Sequence, residues 1–337
     1  VDGLTTSYKY NMLGQRIETK TPQGHIVRTT TVWNNTTDKT KPLYYTLITA
    51  PGKPYVKEYF DWQGRTVLKE SQAPGNKIAY TQMEYDALGR AYKQSDPYFT
   101  GESVIYTTQY FDALGRVSEI DYRGKKTKYA YNGLTTTVTN AAGQRKTTTL
   151  NALGQTWKVV DHHSNTIEYF YNNQGQIRKT RAAGVINEMT YDDYGMQISL
   201  KDASAGVMIY DYDAFGQLVK QKDANGKEYI LEYDKVGRLE LKRLNESGGE
   251  VILYNYYSSG NGINQLEKVE QAADNKMEYF YAQYGRLQST KQTTPDGVFT
   301  YSYQYDSYGN NTTVTYPGNA LTVVNTYDAL GNITAVN

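Results

Sequence analysis

The sequence predicts an all-β protein built as a repeat array of antiparallel β-hairpins, and three observations predict it. A short turn motif with an aromatic residue, an Asp or Asn and a Gly recurs along the whole chain. The stretches between turns, such as "NTIEYFY" and "FTYSYQYD", are rich in aromatic and β-branched residues, and many alternate at period two, which is typical of strands with one face turned inward. No segment has the 3.6-residue periodicity of an amphipathic helix.

The turn motif begins with an aromatic residue four positions before a glycine. These aromatic residues are Tyr10, Phe60, Tyr85, Phe111, Tyr171, Tyr191, Tyr212, Tyr233, Tyr281, Tyr305 and Tyr327. Weaker copies, such as "LNALGQ" and "YNGLT", fall between them, and a second turn, such as "AAGQ" or "ANGK", lies about halfway through each repeat. We therefore predict that residues 1–337 form a single repeat region of about 15 units, each of roughly 20 to 27 residues.

The chemistry of the motif predicts a hairpin turn. In "YDALGR" the Asp accepts hydrogen bonds from backbone N–H groups, the next two residues suit a type I turn, and the Gly adopts a positive φ and closes the turn with a bulge. Five copies represent the motif: Tyr85, Asp86, Leu88, Gly89 and Arg90; Phe111, Asp112, Leu114, Gly115 and Arg116; Tyr212, Asp213 and Gly216; Tyr233, Asp234, Gly237 and Arg238; and Tyr327, Asp328, Leu330 and Gly331.

The residue before each motif glycine is repeatedly large and apolar. These tip residues are Leu13, Leu88, Leu114, Leu153, Tyr194, Phe215, Val236, Tyr284, Tyr308 and Leu330. An exposed turn has no need of such a side chain, so we expect the tips to fold inward and pack against the turns of neighbouring units, as in a solenoid.

Composition narrows the function classes. Lys plus Arg number 36 and Asp plus Glu 35, so the net charge of +1 provides no field that would attract nucleic acid or an anionic membrane. No apolar run approaches the length of a membrane span, and residues 1–20 lack the layout of a signal peptide. The absence of Cys excludes disulfides, thiolate catalysis and Cys-ligated metals. Because the chain begins and ends in mid-pattern, we expect a fragment of a longer chain.

Candidate chemical sites are few, and the sequence predicts neither an enzyme nor a cofactor. Adjacent His162 and His163 lie in a turn with no third metal ligand suggested by the spacing. The string "DYDAFG", residues 211–216, resembles the start of a calcium loop but lacks its other ligands, so we interpret it as another hairpin turn. The basic run with Arg123 and Lys126 is interpreted as a solvated strand face. The many Tyr and Thr side chains suit cross-strand ladders, and a sugar-binding use stays open as an alternative.

The pattern Y-D-x-x-G-R at roughly 20-residue spacing resembles the YD repeat of RHS-type proteins, a family that includes bacterial Rhs toxins, the B and C subunits of Tc toxins, wall-associated toxins and teneurins. The resemblance covers essentially the whole chain. It implies a ribbon of hairpins wound into a spiral, a β-solenoid-like hollow shell or, for a chain this short, an arc. The self-cleavage element of many bacterial relatives is missing, since Asp96-Pro97 stands among the repeats without the following glycine pattern.

The resemblance also implies a function. The chain is expected to be a non-catalytic structural shell segment of a polymorphic toxin that encapsulates an attached C-terminal effector or toxin segment, of the same or an associated polypeptide. It implies a secreted or cell-surface location. The alternative is a cell-surface adhesion module that binds glycans or a protein receptor. No nucleic-acid partner and no membrane insertion are expected.

Overall fold

The computed structural model describes residues 4–337, and it is an all-β protein with 31 strands and four short 3-10 turns. No α-helix is present among the described residues. The predicted fold class, an array of antiparallel β-hairpins, is therefore confirmed. Residues 1–3, which belong to the predicted repeat region, lie outside the described residues.

The strands follow one another along the chain with short connections. The first ten are β1 Ser7–Tyr10, β2 Arg16–Lys20, β3 Ile26–Trp33, β4 Tyr44–Thr49, β5 Val56–Phe60, β6 Thr66–Ala73, β7 Lys77–Tyr85, β8 Ala91–Ser95, β9 Tyr98–Phe99 and β10 Tyr106–Phe111. The next ten are β11 Val117–Tyr122, β12 Lys125–Asn132, β13 Thr135–Thr139, β14 Arg145–Leu150, β15 Thr156–Val160, β16 Thr166–Tyr171, β17 Ile177–Ala182, β18 Val185–Tyr191, β19 Gln197–Asp202 and β20 Gly206–Tyr212. The last eleven are β21 Leu218–Lys222, β22 Glu228–Tyr233, β23 Leu239–Leu244, β24 Val251–Tyr256, β25 Leu266–Ala272, β26 Asn275–Ala282, β27 Arg286–Thr294, β28 Gly297–Tyr305, β29 Asn311–Thr315, β30 Thr322–Tyr327 and β31 Ile333–Val336.

The 3-10 turns are Pro74–Asn76, Gly260–Gly262, Gln283–Gly285 and Pro317–Asn319. Each of them lies in a connection between strands.

Strands pair in antiparallel fashion with the strands next to them in the sequence, as in β16 with β17 and β22 with β23. One departure occurs where the short strand β9 pairs with β7 and β8 also pairs with β10. At many motif turns the register shifts by one residue at the motif aromatic, for example between Glu84 and Tyr85. This shift is the bulge that a glycine with positive φ produces in a hairpin.

The chain divides into two compact units. Unit 1 comprises the residues up to Gln109 together with Tyr256–Glu267 and Asp274–Asn337. Unit 2 comprises Tyr110–Asn255 and Lys268–Ala273. One continuous region of about 15 repeats stays a prediction.

Each unit is a thin sheet, and its described residues form no hydrophobic core. None of the described apolar side chains is fully buried, and burial alternates along strands such as β20 between half-buried and exposed positions. Cross-strand pairs take the place of a core. Tyr44 stacks on Phe60 at 4.8 Å, Tyr45 lies 5.3 Å from Tyr59, and Thr135 hydrogen-bonds Thr149 at 3.1 Å. The tyrosine-rich, aliphatic-poor composition is thus used for ladders on a single layer.

Candidate functional site

The hairpin turns are the most regular constellation of side chains in the structure, and Asp86 shows how each one is held. Its Oδ1 accepts the backbone N–H groups of Leu88 and Arg90, both at 2.9 Å. Its Oδ2 accepts the Arg90 Nε–H at 2.7 Å. The hydrogen bonds from Arg90, backbone first, hold the pKa of Asp86 below its usual value. Gly89 closes the turn with φ +80°.

The same turn recurs with three kinds of side-chain pair across it. Asp pairs with Arg as in Asp234–Arg238, Asn pairs with Gln as in Asn172–Gln176, and Asp pairs with Asn as in Asp328–Asn332. Each pair joins the second and sixth motif positions. The sixth residue donates in the Asp–Arg and Asp–Asn pairs, whereas the second residue donates in the Asn–Gln pair. The structure places the other predicted motif residues in equivalent turns: Asp112, Leu114, Gly115 and Arg116; Asp213 and Gly216; Gly237; Leu330 and Gly331.

The motif tyrosine connects each repeat to the preceding one. Its hydroxyl donates to the backbone carbonyl of the residue that follows the previous motif, as in Tyr85 to Thr66 at 2.8 Å and Tyr233 to Leu218 at 2.9 Å. The same hydrogen bond is made by Tyr131, Tyr171, Tyr191, Tyr212, Tyr281, Tyr305 and Tyr327. Because the bond joins repeats, it explains why the position favours Tyr. Phe111 has no hydroxyl to donate.

The expectation that the tip residues fold inward is wrong for most of them. Seven tips are between 72 and 91 % exposed: Leu13, Leu88, Leu114, Leu153, Tyr194, Phe215 and Val236. The reason is geometric. The tip is the second corner residue of the turn, and its N–H is bound by the motif Asp or Asn, so its side chain projects from the end of the hairpin. Neighbouring motif turns are two strands apart, roughly 10 Å, so adjacent turns do not cover these side chains.

In unit 1 a distant hairpin covers the tip residue Tyr308, which is only 45 % exposed. The ring of His25 lies 5.3 Å from the Tyr308 ring. A Cβ placed on Gly52 would come within 2.7 Å of Tyr308 Cγ, so this glycine is required for the close approach. A Cβ on Gly331 would likewise lie 2.7 Å from the Gly52 carbonyl oxygen. Halfway turns from the first part of the sequence of unit 1 therefore pack against motif turns from its last part. The turn around Gly52 is called the seat of Tyr308.

A polar cluster on β4–β6 of unit 1 surrounds the buried Glu70. Tyr55 and Tyr59 donate their hydroxyls to the two carboxylate oxygens at 2.6 and 2.9 Å. The Lys57 ammonium lies 3.8 Å from the carboxylate and 4.6 Å from the centre of the Tyr45 ring. The hydrogen bond to Glu70, with burial adding to it, raises the pKa of Tyr55 to about 12. The two tyrosine hydroxyls and the carboxylate of this cluster are therefore already hydrogen-bonded to one another.

The remaining candidate sites take ordinary positions in the hairpins. The rings of His162 and His163 contact each other at 3.7 Å in the halfway turn that Asp161 caps. Asp211 pairs with Lys220 at 2.8 Å. In the basic run Lys126 pairs with Glu119 at 2.7 Å on an exposed strand face.

Among residues 4–337 no three His, Asp or Glu side chains are grouped as a metal would require. Within the same residues, no helix is long and apolar enough to span a membrane.

Solved structures with the same fold define the class of protein. The crystal structure of TcdB2-TccC3 aligns with 99 % of this chain at a TM-score of 0.77 and 13 % sequence identity. The same complex without its hypervariable C-terminal region aligns with 99 % of the chain at 0.79 and 11 % identity. The Photorhabdus luminescens Tc holotoxin pore also matches over 99 %, at 0.74 and 16 %. The chain covers 24, 26 and 19 % of these chains, respectively. The protein is therefore a β-hairpin repeat protein with the fold found in part of these Tc toxin structures.

Two of the repeats match a family model. Residues 212–251, which contain the motifs of Tyr212 and Tyr233, match the RHS Repeat family. No curated protein matches the chain. The repeat match and the shared fold together support the RHS/YD-repeat family, as the resemblance predicted.

Sequence reasoning missed two features of the turns. It did not find the tyrosine hydrogen bond between repeats, although the nearly constant Tyr at the first motif position was a signal for it. It also missed the seat at Gly52, because "APGK" has the composition of any other halfway turn. A contact between residues so far apart in the sequence leaves no local pattern.

Proposed function

We propose that this chain is a non-catalytic wall segment of an RHS/YD-repeat polymorphic toxin and that the wall encloses an attached effector or toxin segment. One observation carries the proposal: a single layer of hairpins, with no apolar core among the described residues, has the fold of the matched Tc toxin structures over 99 % of its length.

A thin sheet suits enclosure because it separates two spaces with little material. Its backbone groups are paired along the strands and its side chains are paired across them, so the wall needs no second layer. Containment of this kind is steric and needs no catalytic group. The effector would be held away from its target until the wall opens.

The partner in this proposal is an effector or toxin segment of the same or an associated polypeptide. The matched structures are of toxin complexes, and one of them is a holotoxin pore, which supports a secreted or extracellular assembly. The matched chains are also several times longer than this one, which leaves room for a cargo segment in a longer polypeptide.

The adhesion alternative receives less support from the site. Sugar binding by aromatic platforms needs hydroxyl groups that are free to contact the ligand. Here the hydroxyls of Tyr55 and Tyr59 are bound by Glu70, those of Tyr98 and Tyr106 by Gln82, and those of nine motif tyrosines by backbone carbonyls. These tyrosines are committed to holding the sheet together.

The test uses the native gene product. Its mass is expected to exceed the 38.2 kDa of this chain several-fold, and limited proteolysis with peptide mapping should show segments outside the repeats surviving for as long as the hairpin array stays folded. Addition of denaturant up to the unfolding of the array should expose them together. Digestion of those segments at the same rate before and after the array unfolds would reject enclosure. A native product near 38.2 kDa would reject it too.

A further inference from the structure

In unit 2, the sixth motif residue connects several motif turns to the turn of the following repeat. At three such contacts, here called joints, a glutamine side chain donates to the backbone carbonyl of the glycine in the following turn. The pairs are Gln155 with Gly175 at 3.1 Å, Gln176 with Gly195 at 2.7 Å and Gln217 with Gly237 at 3.1 Å. These hydrogen bonds link neighbouring repeats in addition to the bonds of the motif tyrosines.

The glutamine amide lies directly against the glycine of the following turn. A Cβ on Gly175 would come within 2.9 Å of Gln155 Nε2, and a Cβ on Gly195 would come within 3.0 Å of Gln176 Nε2. A glycine is therefore required at these joints both for its positive φ and for the space that the amide occupies.

Met196 occupies the place of the glutamine at the joint between the turns of Gly195 and Gly216. Its Sδ lies 3.4 Å from the position that a Cβ would take on Gly216. A thioether has no proton to donate, so the Gly216 carbonyl receives no hydrogen bond from this side chain. Asp192 accepts the backbone N–H groups of Tyr194 and Met196, and the Met196 side chain offers it no further donor. This joint, called the Met196 joint, therefore relies on packing where its neighbours use a hydrogen bond.

The Met196 joint also differs from its neighbours in its chemistry. A thioether is oxidised by peroxides, whereas the carboxamides of Gln176 and Gln217 are not. Met196 is half-buried in a sheet whose described residues form a single layer. A small oxidant can therefore reach the sulfur without unfolding of the array.

We propose that Met196 is an oxidation-sensitive joint in unit 2, and that its conversion to the sulfoxide by a peroxide loosens the contact between two motif turns. The sulfur lone pair attacks one oxygen of hydrogen peroxide, so that an S–O bond forms and the O–O bond breaks. After proton transfer, the other peroxide oxygen leaves as water. The sulfur is oxidised and the peroxide is reduced, so the step needs no further reactant.

The sulfoxide disrupts the joint for a steric and a polar reason. The added oxygen needs space beside Gly216, where the sulfur is already in contact distance. The sulfoxide oxygen is an acceptor, and it would lie near the Gly216 carbonyl, which is also an acceptor and cannot bind it. The proposal is independent of enclosure, because it concerns one contact between adjacent repeats.

The first test combines peroxide treatment with hydrogen exchange of the folded chain, while peptide mass spectrometry follows oxidation of each Met. Once Met196 carries the sulfoxide, exchange in the turns at 192–196 and 213–217 should accelerate by about five- to thirtyfold, as the loss of one modest contact implies. Exchange in the turn at 172–176 should not change. The proposal is overturned if Met196 resists oxidation in the folded chain, if its sulfoxide leaves exchange unchanged, or if all turns accelerate alike.

Two variants of Met196 separate packing from oxidation. Met196→Leu keeps an apolar side chain that peroxide does not oxidise, so its exchange should match the untreated wild type before and after peroxide. Met196→Gln introduces the amide donor of the other joints and should slow exchange at this joint below that of the untreated wild type. A peroxide response that persists in Met196→Leu would refute the assignment, and so would faster exchange in Met196→Gln.

The matched controls are the other oxidisable side chains. Met208 is half-buried in β20 of the same unit, and Met12 is fully exposed. Met208→Leu and Met12→Leu should both retain the peroxide response of the Met196 joint. Loss of that response in either variant would place the sensitive group elsewhere. Treatment of the oxidised wild type with methionine sulfoxide reductases should restore slow exchange, and a joint that stays loose after Met196 is reduced would contradict the proposal.

Discussion

Units 1 and 2 carry the same turn with the same kind of residue at its tip, yet two of these tip residues, one from each unit, lie in different surroundings. Phe215 in unit 2 is 90 % exposed, whereas Tyr308 in unit 1 is half covered at 45 %. The turns are held alike, since Asp213 and Asp306 accept the same backbone hydrogen bond from the residue after the glycine. The difference comes from Gly52 and His25, which reach Tyr308 from the other end of the sequence. Local chemistry thus directs the tip outward, and a distant hairpin decides whether it is covered.

The largest effect is expected at the seat. Gly52→Ala places a Cβ 2.7 Å from Tyr308 Cγ at a residue with φ +66°, so the free energy of unfolding of unit 1 should fall by about 3 kcal/mol from backbone strain plus overpacking. Gly143→Ala in unit 2 is the control, because its φ of +78° carries the strain without a contact, and it should cost about 1 kcal/mol. Denaturant unfolding measures both. Equal losses would mean that the seat contributes nothing.

The covered tip itself should matter less than its seat. Tyr308→Ser removes a half-buried ring, and we expect a loss of about 2 kcal/mol in the free energy of unfolding. Phe215→Ser removes a ring in water and should change stability by less than about 0.5 kcal/mol. Thermal unfolding of the two variants beside the wild type checks the difference. A large loss in Phe215→Ser would show that the exposed tip supports the fold in a way its exposure does not indicate.

Glu70 offers a third comparison between the units. Glu70→Gln weakens the acceptor of two tyrosine hydroxyls in unit 1 and should lower the free energy of unfolding by about 1.5 kcal/mol. Glu168→Gln in unit 2 removes one partner of the more open Arg181 ion pair and should cost less than about 1 kcal/mol. Both are measured by denaturant unfolding at neutral pH.

The pH dependence of the Glu70 effect has a definite sign. The hydrogen bond to Glu70, with burial adding to it, raises the pKa of Tyr55 from the usual 10.0 to about 12 in the folded state. The stability from this raised pKa is fully present below about pH 10 and is lost as the pH rises toward about 12. The difference between wild type and Glu70→Gln should therefore shrink over that interval. A difference that stays constant up to pH 12 would contradict the assignment.

The smallest difference between the units is expected where their contacts are alike. Tyr233→Phe in unit 2 and Tyr305→Phe in unit 1 each remove one hydroxyl donor to a backbone carbonyl, and each should cost about 1 kcal/mol. The two losses should agree, because this hydrogen bond joins adjacent repeats in both units. A much larger loss in unit 1 would show that its distant contacts depend on this hydrogen bond as well.

Much of the fold could be predicted from the sequence because its determinants are local. The Asp, Gly and aromatic residues of each motif act within six residues, so "YDALGR" predicts a hairpin with a bulge, and the structure has that bulge at Tyr85. Alternation at period two predicts strands such as β12, which contains the sequence "KTKYAY" and whose burial alternates as expected. The tip residues were misjudged for the same reason. Leu88 and Tyr308 have the same local pattern, and nothing within a few residues of either tells which one a distant turn will cover.

By itself, the sequence determined the hairpins, their approximate period and their antiparallel pairing, because each depends on contacts between residues close along the chain. It also excluded cysteine chemistry, because the chain contains no Cys. Only the tertiary structure decided that Tyr308 packs on Gly52, that Glu70 is surrounded by tyrosines and that tip residues such as Phe215 are exposed. These features depend on side chains meeting across the sheet or from distant hairpins. In a chain of near-identical repeats, many such pairings have the same local signature, and only the folded geometry selects among them.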